Sequence, residues 1–171
     1  MIWAQDRHGT IGDGVRLLWR VPADFRYFKE TTIGHPIIMG RASWEAIGGT
    51  ALPGRRNIVM TRRRGYEAEG AAVVGSLEEA LEMAARSPGG ELVWITGGGS
   101  VYAEALGRAS VLHVSEIDVD VTTGHEDGRV TAPRIDAAEW ERDESRSDSG
   151  WRPLSGDARW RVDVWRRRGA V

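Results

Sequence analysis

A carboxylate, Asp24, lies where the sequence pattern calls for an apolar side chain. Pro22 is typical of the first residue of a helix. From there a 3.6-residue period puts Asp24 on the same stripe as Tyr27, Phe28 and Thr31. A carboxylate on such a stripe is costly unless a polar group meets it. Two interpretations stay open at this point: Asp24 binds a ligand, or it only stabilises the positive end of the helix.

A triglycine follows an apolar run late in the chain. Gly97, Gly98 and Gly99 come directly after residues 92–96, which have the composition of a buried strand, and lead into a helical pattern. Glycines in that position let backbone N–H groups approach a phosphate. The alternative is a tight turn between strand and helix. The spacing is not the G-x-G-x-x-G fingerprint of dinucleotide-binding folds.

Arginines follow the ends of two other predicted strands. Arg41 comes after Gly40, and Arg62 begins a run of three arginines after Thr61. Together with the triglycine they suit a ligand with several phosphates, such as a dinucleotide that carries an extra ribose phosphate. A solvated basic turn is the alternative for residues 62–64. Residues 55 and 56 are both arginines that enter a strand, so only one of them can face a cleft beside the Pro22 helix.

Composition narrows the class of protein. The chain has 171 residues, 41% of them hydrophobic and 28% charged, a net charge of −2 and no cysteine. These values predict one domain over residues 1–171, with neither nucleic acid nor membrane as a partner. The N-terminus has no basic region followed by an apolar run and no segment approaches 18 apolar residues, which predicts the cytoplasm. The histidines at positions 8, 35, 113 and 125 have no metal-ligand spacing, so no metal is expected.

Strand-like and helix-like patterns alternate along the chain. Strands are predicted at residues 1–5, 35–40, 57–61, 72–74, 92–96, 111–117, about 139–146 and 159–167, and helices from residue 22 and at 43–47, 76–85 and 101–106. Residues 6–21 read as a long, functional loop and 118–137 as irregular. The fold class predicted is α/β: a central, mostly parallel eight-stranded sheet with a C-terminal antiparallel hairpin, flanked by about four helices.

Several of these segments, in this order, resemble dihydrofolate reductase of the bacterial chromosomal type. They are Ile2-Trp3-Ala4-Gln5, Ile11-Gly12, Trp19-x-x-Pro22-x-Asp24-x-x-x-Phe28, Ile38-Met39-Gly40-Arg41-x-x-Trp44, Leu52-Pro53-Gly54-Arg55-x-Asn57 and Gly97-Gly98-Gly99-x-x-Tyr102. The resemblance spans nearly the whole chain. It implies the fold of that family, NADPH as cofactor, reduction of 7,8-dihydrofolate to tetrahydrofolate, inhibition by antifolates and a monomeric enzyme.

The resemblance also implies roles for individual residues. Asp24 would hold the pterin, with Trp19 binding an ordered water beside it, Ser115 supporting the carboxylate and Arg55 pairing with the α-carboxylate of the glutamate tail. The other implied substrate contacts are Ile2, Ala4, Phe25, Phe28, Ile47, Leu52 and Thr96. The implied cofactor contacts are Ala4, Ile11, Gly12, Gly40, Arg41, Ala42, Ser43, Thr61, Arg62, Gly97, Gly98, Gly99, Ser100, Val101 and Tyr102.

The sequence departs from the family pattern in a few places. Residues 6–21 match the mobile loop that closes over the nicotinamide, but Leu18 stands where a proline is usual before Trp19. Thr96 replaces the usual isoleucine or valine before the triglycine. Two other interpretations remain: the NADPH-dependent reductase domain of riboflavin synthesis, which should lack the Trp19, Asp24 and Phe28 set, and a non-catalytic relative that binds NADPH or folate as a sensor.

Overall fold

The computed structural model describes residues 1–122 and 128–169, so His125 and part of the segment predicted to be irregular lie outside the described residues. Eleven strands and four α-helices are defined there. In chain order they are β1 Ile2–Gln5, β2 Thr10–Gly12, α1 Pro22–Thr32, β3 Ile37–Gly40, α2 Arg41–Ala46, β4 Asn57–Met60, β5 Ala72–Val74, α3 Leu77–Ala85, β6 Trp94–Ile95, α4 Gly99–Ala105, β7 Val111–Ile117, β8 Val130–Thr131, β9 Trp140–Arg142, β10 Arg152–Ser155 and β11 Ala158–Arg167.

The strands form a mixed α/β arrangement. Four strands pair in the order β5-β4-β3-β6, and all of their ladders are parallel. Five others are built on β11: the order is β1-β7-β11-β10, β9 also pairs with β11, and only the β1–β7 ladder is parallel. Strands β2 and β8 form a separate antiparallel pair. The prediction of one mostly parallel, eight-stranded sheet is therefore not confirmed, whereas the α/β class and about four helices are.

Several boundaries also differ from those predicted. The loop predicted at 6–21 contains β2, and the irregular segment contains β8, its pairing partner. The two strands have only three and two residues, which is too few for an alternation of apolar and polar residues to be recognised in the sequence. The two strands predicted near the C-terminus pair antiparallel as β9 and β11, but a further strand, β10, lies between them in the chain and forms the tight hairpin with β11. Pro153 within β10 obscured that strand in the sequence.

The helices begin where local chemistry favours a start. Pro22 is the first residue of α1, as its fixed φ allows. The hydroxyl of Ser76 accepts a hydrogen bond from the backbone N–H of Glu79 at 3.2 Å, which caps the start of α3. Helices α2 and α4 each start two residues earlier than predicted. Helix α2 follows β3 directly, whereas Thr96, Gly97 and Gly98 separate α4 from β6.

Helix α1 packs across both large groups of strands. Its residue Tyr27 contacts one apolar cluster that includes Ile37 and Met39 of β3, and a second that includes Trp160 and Val162 of β11. The residues predicted to form the apolar stripe of α1 are buried or half-buried, and Arg26, Lys29 and Glu30 are exposed. Within the described residues, no helix is long and apolar enough to span a bilayer.

Candidate active site

Asp24 is buried between α1 and β7. It lies in the first turn of α1 with only 6% of its surface exposed, and its backbone N–H donates to the carbonyl of Val21 at 3.0 Å. Burial raises the pKa of Asp24 to about 6, while a hydrogen bond from Ser115 and the positive charge of Arg152 oppose that rise. A surface carboxylate at a helix end does not behave in this way. The side chain therefore faces the interior of the site.

A second polar group of the site is Trp19, which comes just before α1. Its indole is 6% exposed, yet its buried Nε1–H has no hydrogen-bond partner among the described residues. Buried N–H groups are usually satisfied by protein, water or a ligand. This donor is therefore free to bind a water molecule or a ligand.

Tyr27 and His113 form a contact to which the sequence analysis gave no role. One turn along α1 from Asp24, the Tyr27 hydroxyl is 2.6 Å from Nδ1 of His113, which is on the same face of β7 as Ser115. Burial, followed by the charge of Arg146, lowers the pKa of His113 to about 4. The imidazole is therefore neutral near pH 7. The only signal in the sequence was that two polar residues, His113 and Ser115, alternate with apolar residues along β7.

Apolar side chains on the solvent side of the site are unusually exposed. Phe25 of α1 and Ile47 after α2 are each 45% exposed, whereas Phe28 and Leu52 pack partly against the cluster around β3. Large apolar groups left open in this way are typical of a surface that binds a flat or apolar ligand. Ile2 is buried and Ala4 half-buried on β1, beside β7.

Arg55 rather than Arg56 turns toward α1. Its Nη1 donates to the hydroxyl of Thr32 at 3.0 Å and its Nε to the carbonyl of Pro53 at 3.1 Å. The guanidinium carbon lies 5.9 Å from the centre of the Phe28 ring. Arg56 is exposed. Because Nη2 donates no hydrogen bond to the described residues, Arg55 can also bind a carboxylate.

The turn that carries Arg55 is fixed by Asn57, to which the sequence analysis gave no role. Its side-chain amide donates to the carbonyls of Leu52 and Arg55, both at 2.9 Å. Its side-chain oxygen accepts the N–H of Leu52, also at 2.9 Å. A polar residue at the start of a buried strand, directly after a Pro-Gly turn, was the available signal.

The triglycine turn lies against the start of α2. The backbone N–H of Gly40 donates to the carbonyl of Gly97 at 2.8 Å, and the Gly97–Gly98 peptide bond is cis. Gly97 has a φ of +142°, and a Cβ there would lie 2.5 Å from the Ser43 hydroxyl oxygen. A Cβ on Gly40 would lie 3.0 Å from Val101. The two turns therefore approach each other as closely as only glycine permits.

The residues after the triglycine divide between surface and core. Ser100 is exposed, as is Ala42 on α2. Val101 and Tyr102 are buried, and the Tyr102 hydroxyl donates to the carbonyl of Ile2 at 2.7 Å. Tyr102 therefore joins α4 to β1, and its hydroxyl is already engaged. Thr96, before the turn, directs its hydroxyl to the carbonyl of Ile38 at 3.4 Å.

Arg41 and Arg62 follow the ends of two neighbouring strands. Strands β3 and β4 are parallel neighbours with Gly40 opposite Met60, so Arg41 and Thr61 follow at the same edge, with Arg62 next and exposed. Arg41 is not free: its Nη1 donates to both carboxylate oxygens of Glu45 at 2.8 and 2.9 Å. The sequence analysis missed Glu45, although the i,i+4 spacing was visible.

The loop at residues 6–21 is attached at both ends. Asp6, with no exposed surface, accepts the N–H groups of His8, Thr10 and Val121 at 2.8–3.1 Å. At the other end, Arg20 and Asp157 exchange two hydrogen bonds, at 2.7 and 2.9 Å. Between these attachments Ile11 is half-buried and Gly12 buried, while residues 14–17 are exposed.

Comparison with known proteins agrees with this geometry. The family model for dihydrofolate reductase matches residues 1–151. The dihydrofolate reductase of Mycobacterium tuberculosis strain H37Rv is 41% identical over 170 residues, which covers 98% of this chain and 96% of the relative. That of Mycobacterium leprae strain TN is 44% identical over 138 residues, or 80% of this chain and 81% of the relative.

A solved structure is similar over almost the same length. It is dihydrofolate reductase from Enterococcus faecalis complexed with NADP(H) and RAB-propyl, with a TM-score of 0.84 and 33% sequence identity. The match covers 98% of this chain and 94% of that one.

Proposed function

This chain belongs to the dihydrofolate reductase family, and we propose that Asp24 is the residue on which its reaction depends. The reaction is the NADPH-dependent reduction of 7,8-dihydrofolate to 5,6,7,8-tetrahydrofolate, in which C6 of the pterin gains a hydride and N5 a proton. When bound, NADPH supplies the hydride. The observation that carries our proposal for Asp24 is that this carboxylate is buried and has a pKa of about 6.

Asp24 acts by position and charge. Its carboxylate accepts hydrogen bonds from the amide and amino groups of the pterin, which fixes the orientation of the ring. Because the site is shielded from water, the negative charge is screened less than it would be at the surface, and it stabilises a proton on N5. That proton comes from solvent rather than from Asp24 directly. The free N–H of Trp19 holds a water molecule beside the carboxylate, and Ser115 keeps the carboxylate in place.

The remaining substrate contacts follow from the open apolar surface. Phe28, Ile47 and Leu52 enclose the pterin and benzoyl rings, with Phe25, Ile2, Ala4 and Thr96 at the edges of the cleft. Arg55 pairs with the α-carboxylate of the glutamate tail, since its hydrogen bonds to Thr32 and Pro53 leave Nη2 available. A guanidinium with a fixed orientation favours two parallel hydrogen bonds to a carboxylate.

The glycine turns suit NADPH, because they bring bare backbone close to Ser43. A Cβ on Gly97 would lie only 2.5 Å from the Ser43 hydroxyl oxygen. Gly97, Gly98, Gly99 and Ser43, with Gly40 opposite, hold the pyrophosphate. Arg41 and Arg62, with Thr61 between their strand ends, bind the 2′-phosphate. Backbone groups of Ala4, Ile11 and Gly12 hold the nicotinamide end. The other predicted cofactor contacts, at Ala42, Ser100, Val101 and Tyr102, contribute through backbone or shape.

We also propose that the enzyme is a cytoplasmic monomer and that antifolates compete with dihydrofolate at Asp24. Light scattering tests this proposal: a mass of 18.9 kDa with and without NADPH is expected, and a stable dimer would contradict it.

The function is tested by absorbance at 340 nm with NADPH and dihydrofolate. We expect NADPH consumption that depends on dihydrofolate and stops on addition of an antifolate. Consumption with a ribosylated aminopyrimidine in place of dihydrofolate would instead indicate the reductase of riboflavin synthesis. Binding of NADPH without turnover would indicate a sensor.

A further inference from the structure

An acidic side chain lies against Arg41, the first residue after β3. Glu45 is one helical turn after Arg41 on α2, and both of its carboxylate oxygens accept hydrogen bonds from Arg41 Nη1, at 2.8 and 2.9 Å. The Arg41 side chain is 39% exposed and that of Glu45 46% exposed. The guanidinium assigned above to the 2′-phosphate is therefore already paired with a carboxylate.

Tyr66 keeps Glu45 in this position. The Tyr66 hydroxyl donates to a Glu45 carboxylate oxygen at 3.2 Å. The hydrogen bond from Arg41, the one from Tyr66 and the charge of Arg63 together hold the pKa of Glu45 below its ordinary value. The carboxylate is consequently ionised at neutral pH. It presents a negative charge to the same edge of the sheet to which the arginines present positive ones.

The consequence concerns the choice between NADPH and NADH. A 2′-phosphate brings up to two negative charges to Arg41, and it must compete with Glu45 for Nη1 and approach the Glu45 charge. NADH lacks that phosphate. We propose that Glu45 is a specificity-determining residue that competes with the 2′-phosphate of NADPH for Arg41 and so reduces the preference for NADPH over NADH. This inference rests on the cofactor site assigned under Proposed function.

The size of the effect follows from exposure. An exposed ion pair within a helix contributes little to stability, so a phosphate displaces the Glu45 side chain readily. Its charge, however, stays within one helical turn of Arg41. Repulsion over such a distance near a protein surface changes affinity about three- to tenfold and weakens as added salt screens the charges.

The test compares Glu45→Gln with the parent enzyme for both cofactors. Glutamine keeps the shape of the side chain and removes the charge. We expect the KM and Kd for NADPH to fall about three- to tenfold at low ionic strength, with those for NADH changed less than about twofold, and the difference to shrink at high salt. Tyr66→Phe, which releases Glu45, should change the ratio in the same direction by a smaller factor.

Two further variants separate the possible outcomes. Glu82→Gln removes a carboxylate from an i,i+4 pair with Arg86 on α3, and it should leave both cofactors unaffected. Arg41→Gln should weaken NADPH binding and spare NADH. If Arg41→Gln weakens NADPH but Glu45→Gln does not strengthen it, the role of Glu45 is wrong while the cofactor site stands. If Arg41→Gln has no effect on NADPH, the assigned 2′-phosphate site is wrong, and the inference with it.

Discussion

Asp24 illustrates a conflict between stability and function in a single residue. Its pKa rises from 3.8 to about 6 on folding because the carboxylate is buried. Above pH 6 the group is ionised in both states, and the native state carries a penalty of roughly 3 kcal/mol for burying the charge. Below pH 4 it is protonated in both states and the penalty disappears. A carboxylate that destabilises the native state by this amount is more consistent with a catalytic role than with a structural one.

We therefore expect Asp24→Asn to stabilise the protein at pH 8. The free energy of unfolding, measured with urea, should rise by about 1–3 kcal/mol, because the amide has no charge to bury. The gain should decrease as the pH falls through 6 and vanish near pH 4. A variant less stable than the parent at pH 8 would contradict this prediction, because it would mean that the buried carboxylate stabilises the native state.

Arg55 allows a prediction with a neighbouring control. Arg55→Lys should raise the KM for dihydrofolate about tenfold, because lysine cannot form two parallel hydrogen bonds to a carboxylate. A pteridine substrate that lacks the glutamate tail should show no change. Arg56→Lys, at the exposed neighbouring position, should behave like the parent. Equal effects of the two substitutions would mean that Arg55 does not bind the glutamate tail.

At the scale of single residues, the sequence predicted well where one side chain carried the signal. A carboxylate on an apolar stripe is visible in the pattern, and its burial in the structure agrees. Glu45, Asn57 and His113 act through partners that are brought close by folding or by a turn, and residue type alone did not distinguish them from ordinary polar positions. The pattern of the sequence left open whether Arg55 or Arg56 faces the cleft. The structure decides this, because Arg55 is half-buried and Arg56 is exposed.

Among the elements, the loop at residues 6–21 is held in part by contacts that are distant in sequence. Asp6 has no exposed surface and accepts hydrogen bonds from three backbone N–H groups, one of them from Val121. Without this carboxylate the buried N–H of Thr10 would remain unsatisfied, and the partly buried N–H groups of His8 and Val121 would lose their acceptor. Asp6 therefore connects the start of the loop to the segment after β7.

Asp6→Ala should lower the free energy of unfolding by about 2–4 kcal/mol, because one buried donor and two partly buried donors lose their acceptor. Hydrogen exchange of residues 8–12 should accelerate as well. Asp13→Ala is the matched control, since Asp13 accepts the N–H groups of Val15 and Arg16 in a more exposed part of the loop. Its effect should stay below about 1 kcal/mol. Equal losses would mean that burial of Asp6 adds nothing.

Element positions were largely predictable, and strand pairing was not. The alternation of Trp160, Val162 and Val164 along β11 placed that strand correctly, and all three are buried. Its pairing with β7, β9 and β10 depends on residues up to about fifty positions away. The alternation of apolar and polar residues within one strand does not show which other strands pair with it. This is the reason that the predicted eight-stranded, mostly parallel sheet is not confirmed.

For the whole molecule, the site exists because α1 crosses between the two large groups of strands. Tyr27 contacts the apolar clusters of both, and Asp24 is one turn earlier on the same face. Gly40 and Gly97 join the ends of β3 and β6 at 2.8 Å. The helix and the two glycine turns thus place the substrate and cofactor groups that we assign on a common framework.

The most direct test of the central claim is the rate of hydride transfer by Asp24→Asn as a function of pH, measured by stopped flow with saturating NADPH and dihydrofolate. At pH 7 we predict a loss of at least about 100-fold, because the charge that stabilises a proton on N5 is absent. Partial recovery should follow at low pH, where dihydrofolate arrives already protonated. A variant that transferred hydride at the parent rate at pH 7 would contradict the role assigned to Asp24.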